Sequence, residues 1–448
     1  MPRKKAVEEE KPLEQPLELR RDFGGIIKEN YLEYGNYVNN YRHLCRVEDG
    51  LKISYRRLIY AAMQFKRGED IPTTTLISSV AKWHPHGLTG IEDLNAVLTL
   101  SGVFHGEGSF GSIGIDGVDN PHAATRYTKN RLSDVYWEIL GDTIKEVPYQ
   151  ESPVGALEPA YIPTPLPLCF SLERLVSGLG VGISTVYPNF SPWSMYQAYL
   201  YNDPNLLEPK IDLLLDKNNS ELKRLWETGK GRVIYSYKIS RQTSPDGRTE
   251  GILFEGSTGI FTPKIKKFKK LEEEGKVYIE DMTDFNGPKL FVGRVPGARG
   301  ITVENIEEIA RKICYDATTY SLNISDGRSS FRIPLKDWLD YTYKNYIALI
   351  TKVNSKKIEK CKFDIAVQEA IPLVANYIIN TNPKASNEEI QGALNLPEEV
   401  LKVILDRPLN QIRKIKDNTD RIKALKQKLK DLKAFNPILY TEEIIKKL

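Results

Sequence analysis

The residues with the clearest chemical potential follow a glycine-rich stretch. Residues 104–132 carry glycines at positions 106, 108, 111, 114 and 117, and then reach Arg126, Tyr127 and Lys129. Glycine allows a backbone to approach a bulky ligand closely. A phenol is a weak nucleophile at neutral pH and needs nearby cations to stabilise its anion and a crowded phosphoryl transition state. The pattern therefore predicts a tyrosine that attacks phosphorus.

Two plainer interpretations of the same tyrosine remain open. Tyr127 is one of 24 tyrosines in the chain, and most tyrosines serve packing. A basic surface that faces DNA would also supply the neighbouring cations without any chemistry at the phenol.

The five histidines all lie in the first third of the chain, and two of them, His84 and His86, flank Pro85. Two imidazoles separated in this way do not converge as a helical i,i+4 pair does, and no third ligand is near in sequence. We therefore predict no metal site here. The segment instead predicts a turn that offers one histidine to a phosphate oxygen and uses the other structurally.

Composition limits the class of protein. A chain of 448 residues with 41% hydrophobic and 27% charged residues predicts two or three folded domains. The net charge of +4 means that any attraction to nucleic acid must come from local patches. Four cysteines without a CxxC pair argue against a zinc ribbon or a disulfide framework. We find no signal peptide and no apolar run of membrane length, so we expect a cytoplasmic protein.

The elements that must position these residues begin after a flexible tail predicted at residues 1–22. An amphipathic pattern from Phe23 predicts a first core helix. Three further helices are predicted within residues 48–65, from 73 to 83 or 84, and from 89 onward. Short helices joined by tight turns and followed by a glycine-rich wing are typical of a winged helix-turn-helix. We assign residues 23–146 to this domain.

The rest of the chain predicts two more regions. Residues 147–333 read as mixed strands and helices, with a strand at 233–239, a turn at 244–247, and a lysine run at 264–270 that fits a solvated helix or a phosphate track. Residues 334–448 show apolar stripes at 339–353 and 415–432 around a helical insert, 366–410. They indicate an antiparallel coiled coil with a globular head, or ordinary helix packing. The predicted fold class is multidomain α+β.

Several ordered motifs resemble one family. YRHLCRVEDGLKISYRRLIYAAM, KWHPHG, GEGSFGSIGIDG, AATRYT and EPAYIPTPLPLCFSLERLVSGLGVGIS stand in the order and spacing found in the A subunit of bacterial gyrase and topoisomerase IV. The match is dense from about residue 30 to 132, thins after residue 191, and rests on pattern alone beyond residue 300. The chain thus resembles the breakage-reunion core of a type IIA DNA topoisomerase.

The resemblance implies a role for each matching residue. Tyr127 would attack a DNA phosphodiester and hold the 5′ end covalently, while the middle region would be the family's tower domain and the coiled-coil head its exit gate. Leu179 would wedge between base steps and bend the duplex. The remaining predicted residues act on phosphates: Arg126, Arg42 and His84 on the transferred phosphate, and Lys52, Arg56, Arg57, His86 and Lys129 on the DNA backbone.

The resemblance also implies partners. The chain has no GxxxxGK[ST] loop, no evident ATP-binding domain and no evident acidic metal cluster. In the split bacterial enzymes both functions lie on a second subunit. We therefore expect double-stranded DNA as substrate, a homodimer through the exit gate, and an A2B2 assembly in which the B-type subunit binds ATP and most of the Mg²⁺, with no metal held by this chain.

The sequence departs from the family pattern in places. The proline after DGLK is Ile53, the acidic residue after HPHG is Leu88, and GQGNFGS becomes GEGSFGS, with Glu107 and Ser109. Because the sequence ends at Leu448, just after the second apolar stripe, we expect no C-terminal DNA-wrapping domain, and therefore relaxation or decatenation rather than negative supercoiling. So short a protein would suit a phage or other mobile element acting in a host cytoplasm.

Three other classes of protein compete with this interpretation. A non-cleaving winged-helix architectural protein would keep the DNA surface and lose the chemistry. A tyrosine recombinase would need an arginine-rich catalytic set around a C-terminal tyrosine, and Tyr127 is not C-terminal. A purely structural helical protein would leave the histidine clustering and the glycine-rich wing unexplained.

Overall fold

The computed structural model describes residues 23–111, 121–173, 176–210, 214–217, 220–236, 238–255, 266–282, 289–313, 315–382, 385–406 and 418–448. The predicted N-terminal tail and residues 112–120 of the glycine-rich stretch lie outside these ranges, as do Lys264 and residues 407–417. In the described part of the chain, no helix is both long and apolar enough to cross a membrane.

The first region contains the predicted helices and a small sheet. Its helices are α1 (Phe23–Val38), a π-helical turn (Asn39–His43), α2 (Ile53–Ala62), α3 (Thr73–Val80), α4 (Thr89–Leu100) and α5 (Asp134–Leu140). Its strands are β1 (Cys45–Arg46), β2 (Ile71–Pro72), β3 (Phe104–Glu107) and β4 (Lys129–Leu132), and the sheet order is β2–β4–β3. Three helices followed by a β3–β4 hairpin agree with the predicted order of elements.

Helix α1 differs from the expectation of a core helix. Ile27, Tyr31, Leu32 and Tyr34 are exposed on it, and among its described residues burial begins near the C-terminal end, at Gly35 and Val38. Periodicity correctly predicted the helix, but an apolar stripe does not say whether a partner surface exists within the same chain.

The middle region is a series of short strands and helices. In chain order these are β5 (Tyr149–Glu151), β6 (Leu157–Pro159), β7 (Ser177–Leu179), β8 (Ser184–Val186), α6 (Pro192–Tyr201), β9 (Leu214–Leu215), α7 (Ser220–Thr228), β10 (Lys230–Ser236), β11 (Lys238–Thr243), β12 (Glu250–Glu255), α8 (Lys266–Glu273), β13 (Val277–Asp281), β14 (Lys289–Arg294), α9 (Val303–Ile313), β15 (Tyr315–Ser321), β16 (Asn323–Ser325) and β17 (Ser330–Arg332).

These strands form several small sheets. The strand predicted at 233–239 is in fact divided between β10, in the β15–β10–β9 sheet, and β11, in the β11–β12–β14–β13 sheet. The predicted turn at 244–247 is confirmed, because the Gly247 amide donates to the Ser244 carbonyl between β11 and β12. Within the described residues, the lysine run falls on helix α8.

The last region is helical. It comprises α10 (Leu335–Asn376), a π-helical turn (Tyr377–Thr381), α11 (Asn387–Leu394), α12 (Glu398–Leu405), α13 (Thr419–Ala434) and α14 (Pro437–Lys447). Helices α10 and α13 pack antiparallel: Asn354 Nδ2 donates to the Leu432 carbonyl at 3.0 Å, Cys361 Sγ to the Leu425 carbonyl at 3.4 Å, and Asn418 Nδ2 to the Gln368 carbonyl at 3.2 Å. Successive contacts are one heptad apart on each helix, as in a coiled coil.

Two apolar clusters hold the described chain together. The larger runs continuously from Cys45 through the middle region to Ile445 at the base of α10. A smaller one joins the far end of α10 to α11 and α12 and forms the head of the coiled coil. Strand β1 pairs in parallel with β16, so the first region and the middle region share a sheet. These connections hold the site elements in fixed relative positions.

Candidate functional site

Tyr127 occupies an exposed position before strand β4. It lies in a short 3₁₀ helix, Thr125–Tyr127, and its side chain is 68% exposed. The next residue anchors the segment, because Thr128 Oγ1 donates to Thr73 Oγ1 at 2.8 Å and the Thr73 amide donates to the Thr128 carbonyl at 3.0 Å. The phenol is therefore presented to solvent on a backbone fixed to the start of α3.

A cation lies beside the phenol ring. The Arg126 guanidinium carbon lies 4.6 Å from the centroid of the Tyr127 ring. Among the described residues, no side chain or backbone group forms a hydrogen bond with the Tyr127 hydroxyl. The oxygen is thus free to meet a ligand, and a positive charge lies over the ring.

A cationic pocket of about 410 Å³ collects several of the predicted phosphate-binding side chains. The π-helical turn, the N-terminal end of α2, the α3–α4 loop and α4 line it. The predicted residues that it brings together are Arg42, Lys52, Arg57, His84 and His86. Tyr127 and Arg126 are not among its lining residues, so within one chain the phenol and the cationic pocket are separate.

Arg57 and His84 form the innermost part of this pocket. The Arg57 guanidinium makes a bidentate ion pair with Glu158, Nε to Oε2 at 2.7 Å and Nη2 to Oε1 at 3.0 Å, and both side chains are buried. Its remaining nitrogen, Nη1, lies 3.2 Å from His84 Nδ1. Since arginine can only donate, Nδ1 must accept, and the His84 proton is on Nε2.

The electrostatics of the pocket keep His84 neutral. Burial, followed by the charge of Arg57 and by His86, lowers the pKa of His84 from 6.5 to about 4. At neutral pH His84 is therefore an Nε2–H hydrogen-bond donor rather than a cation. This property suits an uncharged contact to a phosphate oxygen.

Arg56 does not reach the surface as its predicted DNA contact requires. Its side chain is 4% exposed, with Nε 2.9 Å from Asp49 Oδ2, and Nη2 donates to the Leu51 carbonyl at 3.2 Å. Asp49 is fully buried and also accepts from the amides of Leu51 and Ile162. Arg56 thus neutralises a buried carboxylate that organises the turn before α2, and the expectation of an exposed phosphate contact is corrected.

The two predicted lysines differ in environment. Burial lowers the pKa of Lys52, which lines the pocket and donates to the Ser177 carbonyl at the start of β7. Lys129 is exposed on β4 and pairs with Glu107 of β3 at 3.2 Å. The glutamate that departs from the family pattern therefore neutralises part of the charge near Tyr127.

Leu179 is an apolar side chain offered to solvent. It ends strand β7 in the β7–β8 hairpin and is 76% exposed. A leucine so exposed at the tip of a folded hairpin has no packing role within the described chain, which fits an apolar contact to a ligand.

Three residues that support the site were not predicted from the sequence. Glu158 pairs with Arg57, Asp49 pairs with Arg56, and Asn39 holds the Leu179 hairpin. Of the three, only Asp49 could have been found from the local sequence, because it lies just seven residues before its partner Arg56. The other two pairs span over a hundred residues and become visible only in three dimensions.

The described residues contain no group of three or more His, Cys, Asp or Glu side chains arranged to hold a metal ion.

Known proteins that match the chain identify its class. The family described as the A subunit of DNA gyrase/topoisomerase IV matches residues 42–448, so the chain belongs to this family and the resemblance carried by its motifs is confirmed. Similar relatives are the DNA gyrase A subunits of Brachyspira hyodysenteriae, 24% identical over 94% of this chain and 53% of that protein, and of Thermotoga maritima, 26% identical over 86% and 51%. The DNA topoisomerase 4 A subunit of Staphylococcus aureus is 23% identical over 91% of this chain and 54% of its own length. The chain spans about half the length of these curated relatives.

Proposed function

We propose that this chain is the DNA-cleaving and rejoining subunit of a type IIA topoisomerase, and that Tyr127 is its nucleophile. The observation that carries the proposal is the solvent-exposed Tyr127 hydroxyl, which has no hydrogen-bond partner among the described residues, beside the Arg126 cation. A phenol that is buried or hydrogen-bonded within the chain would favour a packing role, whereas the exposed Tyr127 phenol is accessible to a ligand.

The proposed reaction is a transesterification. The Tyr127 oxygen bonds to phosphorus as the bond to the 3′ oxygen breaks; the phenol loses its proton and the 3′ oxygen gains one. The product is a 5′-phosphotyrosine ester, and its reversal reseals the strand without an external energy source. Arg126 would stabilise negative charge that develops on the phenol and the phosphate.

The cationic pocket would hold backbone phosphates. Arg42 and Lys52 offer charge at its surface, while His84 offers a neutral Nε2–H oriented by Arg57. Charge-assisted contacts of this kind fix a duplex in position without reading its sequence. Leu179 would then insert between base steps and bend the duplex.

The remaining parts of the assembly follow from the same proposal. Residues 23–146 would form the winged-helix cleavage domain, 147–333 the tower, and 334–448 the coiled coil and exit gate. Because Tyr127 does not line the pocket of its own chain, we propose a homodimer on DNA that completes each site. A B-type partner subunit would supply ATP hydrolysis and most of the Mg²⁺, giving an A2B2 enzyme that relaxes or decatenates DNA in the cytoplasm.

One observation favours a second candidate, a non-cleaving architectural protein. The separation of the phenol from the pocket in one chain would also fit a surface that only binds and bends DNA. In that case duplex binding and bending would remain while covalent complexes would be absent under every condition.

The test combines the chain, a cognate B-type subunit, ATP, Mg²⁺ and supercoiled plasmid, with detergent arrest and tryptic mapping of the DNA-linked peptide. Tyr127→Phe should abolish covalent DNA while changing duplex affinity by only about twofold, since it removes an exposed hydroxyl that bonds to no other described residue. Tyr201→Phe is the matched control, because Tyr201 is 67% exposed at the end of α6 and should cleave normally. Adducts that persist in Tyr127→Phe, or a peptide carrying a different residue, would refute the assignment.

A further inference from the structure

The Leu179 hairpin is presented by its contacts with the rest of the chain rather than by its own core. Within the hairpin, the Gly180 amide donates to the Ile183 carbonyl at 2.8 Å and closes the turn, and Gly182 adopts a positive φ of 72°. With only three residues in each strand, such a ribbon is marginal by itself. What holds it in place decides where Leu179 points.

The π-helical turn holds the tip of this hairpin through one amide. Asn39 is 6% exposed; its Nδ2 donates to the Val181 carbonyl at 3.1 Å and its Oδ1 accepts from the Val181 amide at 2.8 Å. Both ends of the Asn39 amide are therefore used on one residue of the turn. This pairing resembles the contact that a neighbouring strand would make.

The fit between the turn and the hairpin is close. A Cβ atom added at Gly180 would lie 2.1 Å from Asn39 Oδ1, and one added at Gly178 would lie 2.3 Å from the His43 carbonyl oxygen. Glycine at these two positions allows the hairpin backbone to rest directly on the π-helical turn. A larger residue would push the two apart.

The same turn also carries a side chain of the cationic pocket. Arg42 lies three residues after Asn39 and lines the pocket, and Lys52, also in the pocket, donates to the Ser177 carbonyl of the same hairpin. The opposite strand is held elsewhere, with Thr185 Oγ1 donating to the Ser321 carbonyl at 2.6 Å and Asn323 Nδ2 to the Ser184 carbonyl at 3.0 Å. Among the described residues, Asn39 provides the side-chain bonds that fix the hairpin tip.

We infer that Asn39 is a positioning residue that fixes Leu179 relative to Arg42, so that bending the duplex and delivering a phosphate to the pocket become one event. The inference rests on the proposed function, because it gives Leu179 and Arg42 their DNA contacts. Without the Asn39 amide, Lys52 still holds the hairpin at Ser177, but the hairpin tip loses its hydrogen bonds to the turn that carries Arg42. A duplex bound by its phosphates is then no longer bent where the pocket requires.

The variant that tests this is Asn39→Leu, which keeps the branched shape of the side chain and can neither donate nor accept. Its neighbour provides a matched control: Asn40 also uses both ends of its amide, but on Ser325 Oγ at 2.7 Å and the Arg328 carbonyl at 3.2 Å, away from the hairpin. The readouts are energy transfer between the labelled ends of a short duplex, duplex affinity with its salt dependence, and covalent complexes formed with the cognate B-type subunit.

Asn39→Leu should reduce covalent complexes roughly fivefold to thirtyfold, the factor that one or two lost hydrogen bonds set. Energy transfer should fall to the level of Leu179→Ala, while affinity and its salt slope stay close to those of Asn40→Leu. The double variant Asn39→Leu/Leu179→Ala should be no worse than either single variant, because both changes remove the same contact. A general loss of structure would instead lower affinity together with bending.

Two outcomes separate this inference from the proposed function. If Leu179→Ala bends DNA normally, the wedge role fails and the inference with it. If Leu179→Ala loses bending but Asn39→Leu behaves as Asn40→Leu does, only the role of Asn39 is overturned. Should Asn39→Leu fail to fold, Gly178→Ala displaces the hairpin at the His43 end of the same turn without changing Asn39, and normal bending in that variant would overturn the inference.

Discussion

The buried pair of Arg57 and Glu158 gives a prediction whose size follows from the structure. Glu158→Gln keeps the shape of the side chain and removes its charge, which leaves the Arg57 guanidinium buried without a counter-ion. Breaking a buried ion pair from one side costs about 3–5 kcal/mol of unfolding free energy. At about 2–4 °C per kcal/mol, the thermal transition of the region that contains this pair should shift downward by roughly 6–20 °C.

A compensating pair separates stability from function. Arg57→Met combined with Glu158→Leu replaces the ion pair with apolar groups of similar volume, which is often neutral or stabilising by about 1–4 kcal/mol. Thermal stability should therefore return. Covalent complexes should not return, because His84 Nδ1 has lost the N–H that fixes its ring and tautomer.

The salt dependence of duplex binding tests whether Arg57 contacts DNA directly, as its sequence position predicted. A lost phosphate contact lowers the slope of log K against log salt concentration by about 0.9. The pair-replaced variant should leave this slope unchanged, whereas Arg42→Met, at an exposed pocket residue, should lower it with little change in thermal stability.

Two results would refute the reasoning. A cost below about 1 kcal/mol for Glu158→Gln would mean that the buried charge finds another partner or water. A reduced salt slope in the pair-replaced variant, equal to that of Arg42→Met, would return Arg57 to the phosphate-contacting set.

Further predictions concern protonation, charge and packing. The folded-state pKa of His84 is lowered from 6.5 to about 4, so between these pH values the unfolded chain binds a proton that the folded chain does not bind. The free energy of unfolding should therefore fall as pH drops through this window. His84→Gln should flatten that part of a thermal pH profile, and an unchanged profile would contradict the assignment. Glu107→Gln frees Lys129 and should steepen the salt slope of duplex binding by at most about 0.9, whereas no change would mean that Lys129 lies off the DNA path. Gly106→Ala places a Cβ 2.4 Å from the Phe110 ring and should cost about 1–3 kcal/mol in calorimetry, while a neutral result would mean that the ring moves aside freely.

The sequence predicted the local helices and turns better than it predicted which elements pack or pair with each other. Helices α2, α3 and α4, the turn after β11 and the antiparallel coil all follow from local signals, such as a proline limit, a Pro-Asp-Gly turn and a heptad stripe. The strand predicted at 233–239 was wrong in extent, because alternation continues smoothly across a point where the chain changes sheets. Register and sheet membership depend on distant segments, which a local pattern does not encode.

The candidate site shows the same division. Residue type and motif predicted Arg42, Lys52, Arg57, His84 and His86 individually, and the pocket brings all five together. Motif order could not distinguish an arginine that faces a ligand from one that neutralises a buried carboxylate, and Arg56 is of the second kind. That distinction depends on desolvation, which only the folded chain determines.

The helix pair of α10 and α13 has a mechanical consequence. Its three side-chain-to-backbone bonds recur every seven residues, so a slip by one residue in either direction would break all three at once. We therefore expect the two helices to move together as one rigid body. A force applied at the head would then be transmitted to the base of α10, beside α5 and α14, because the helices do not slide past each other.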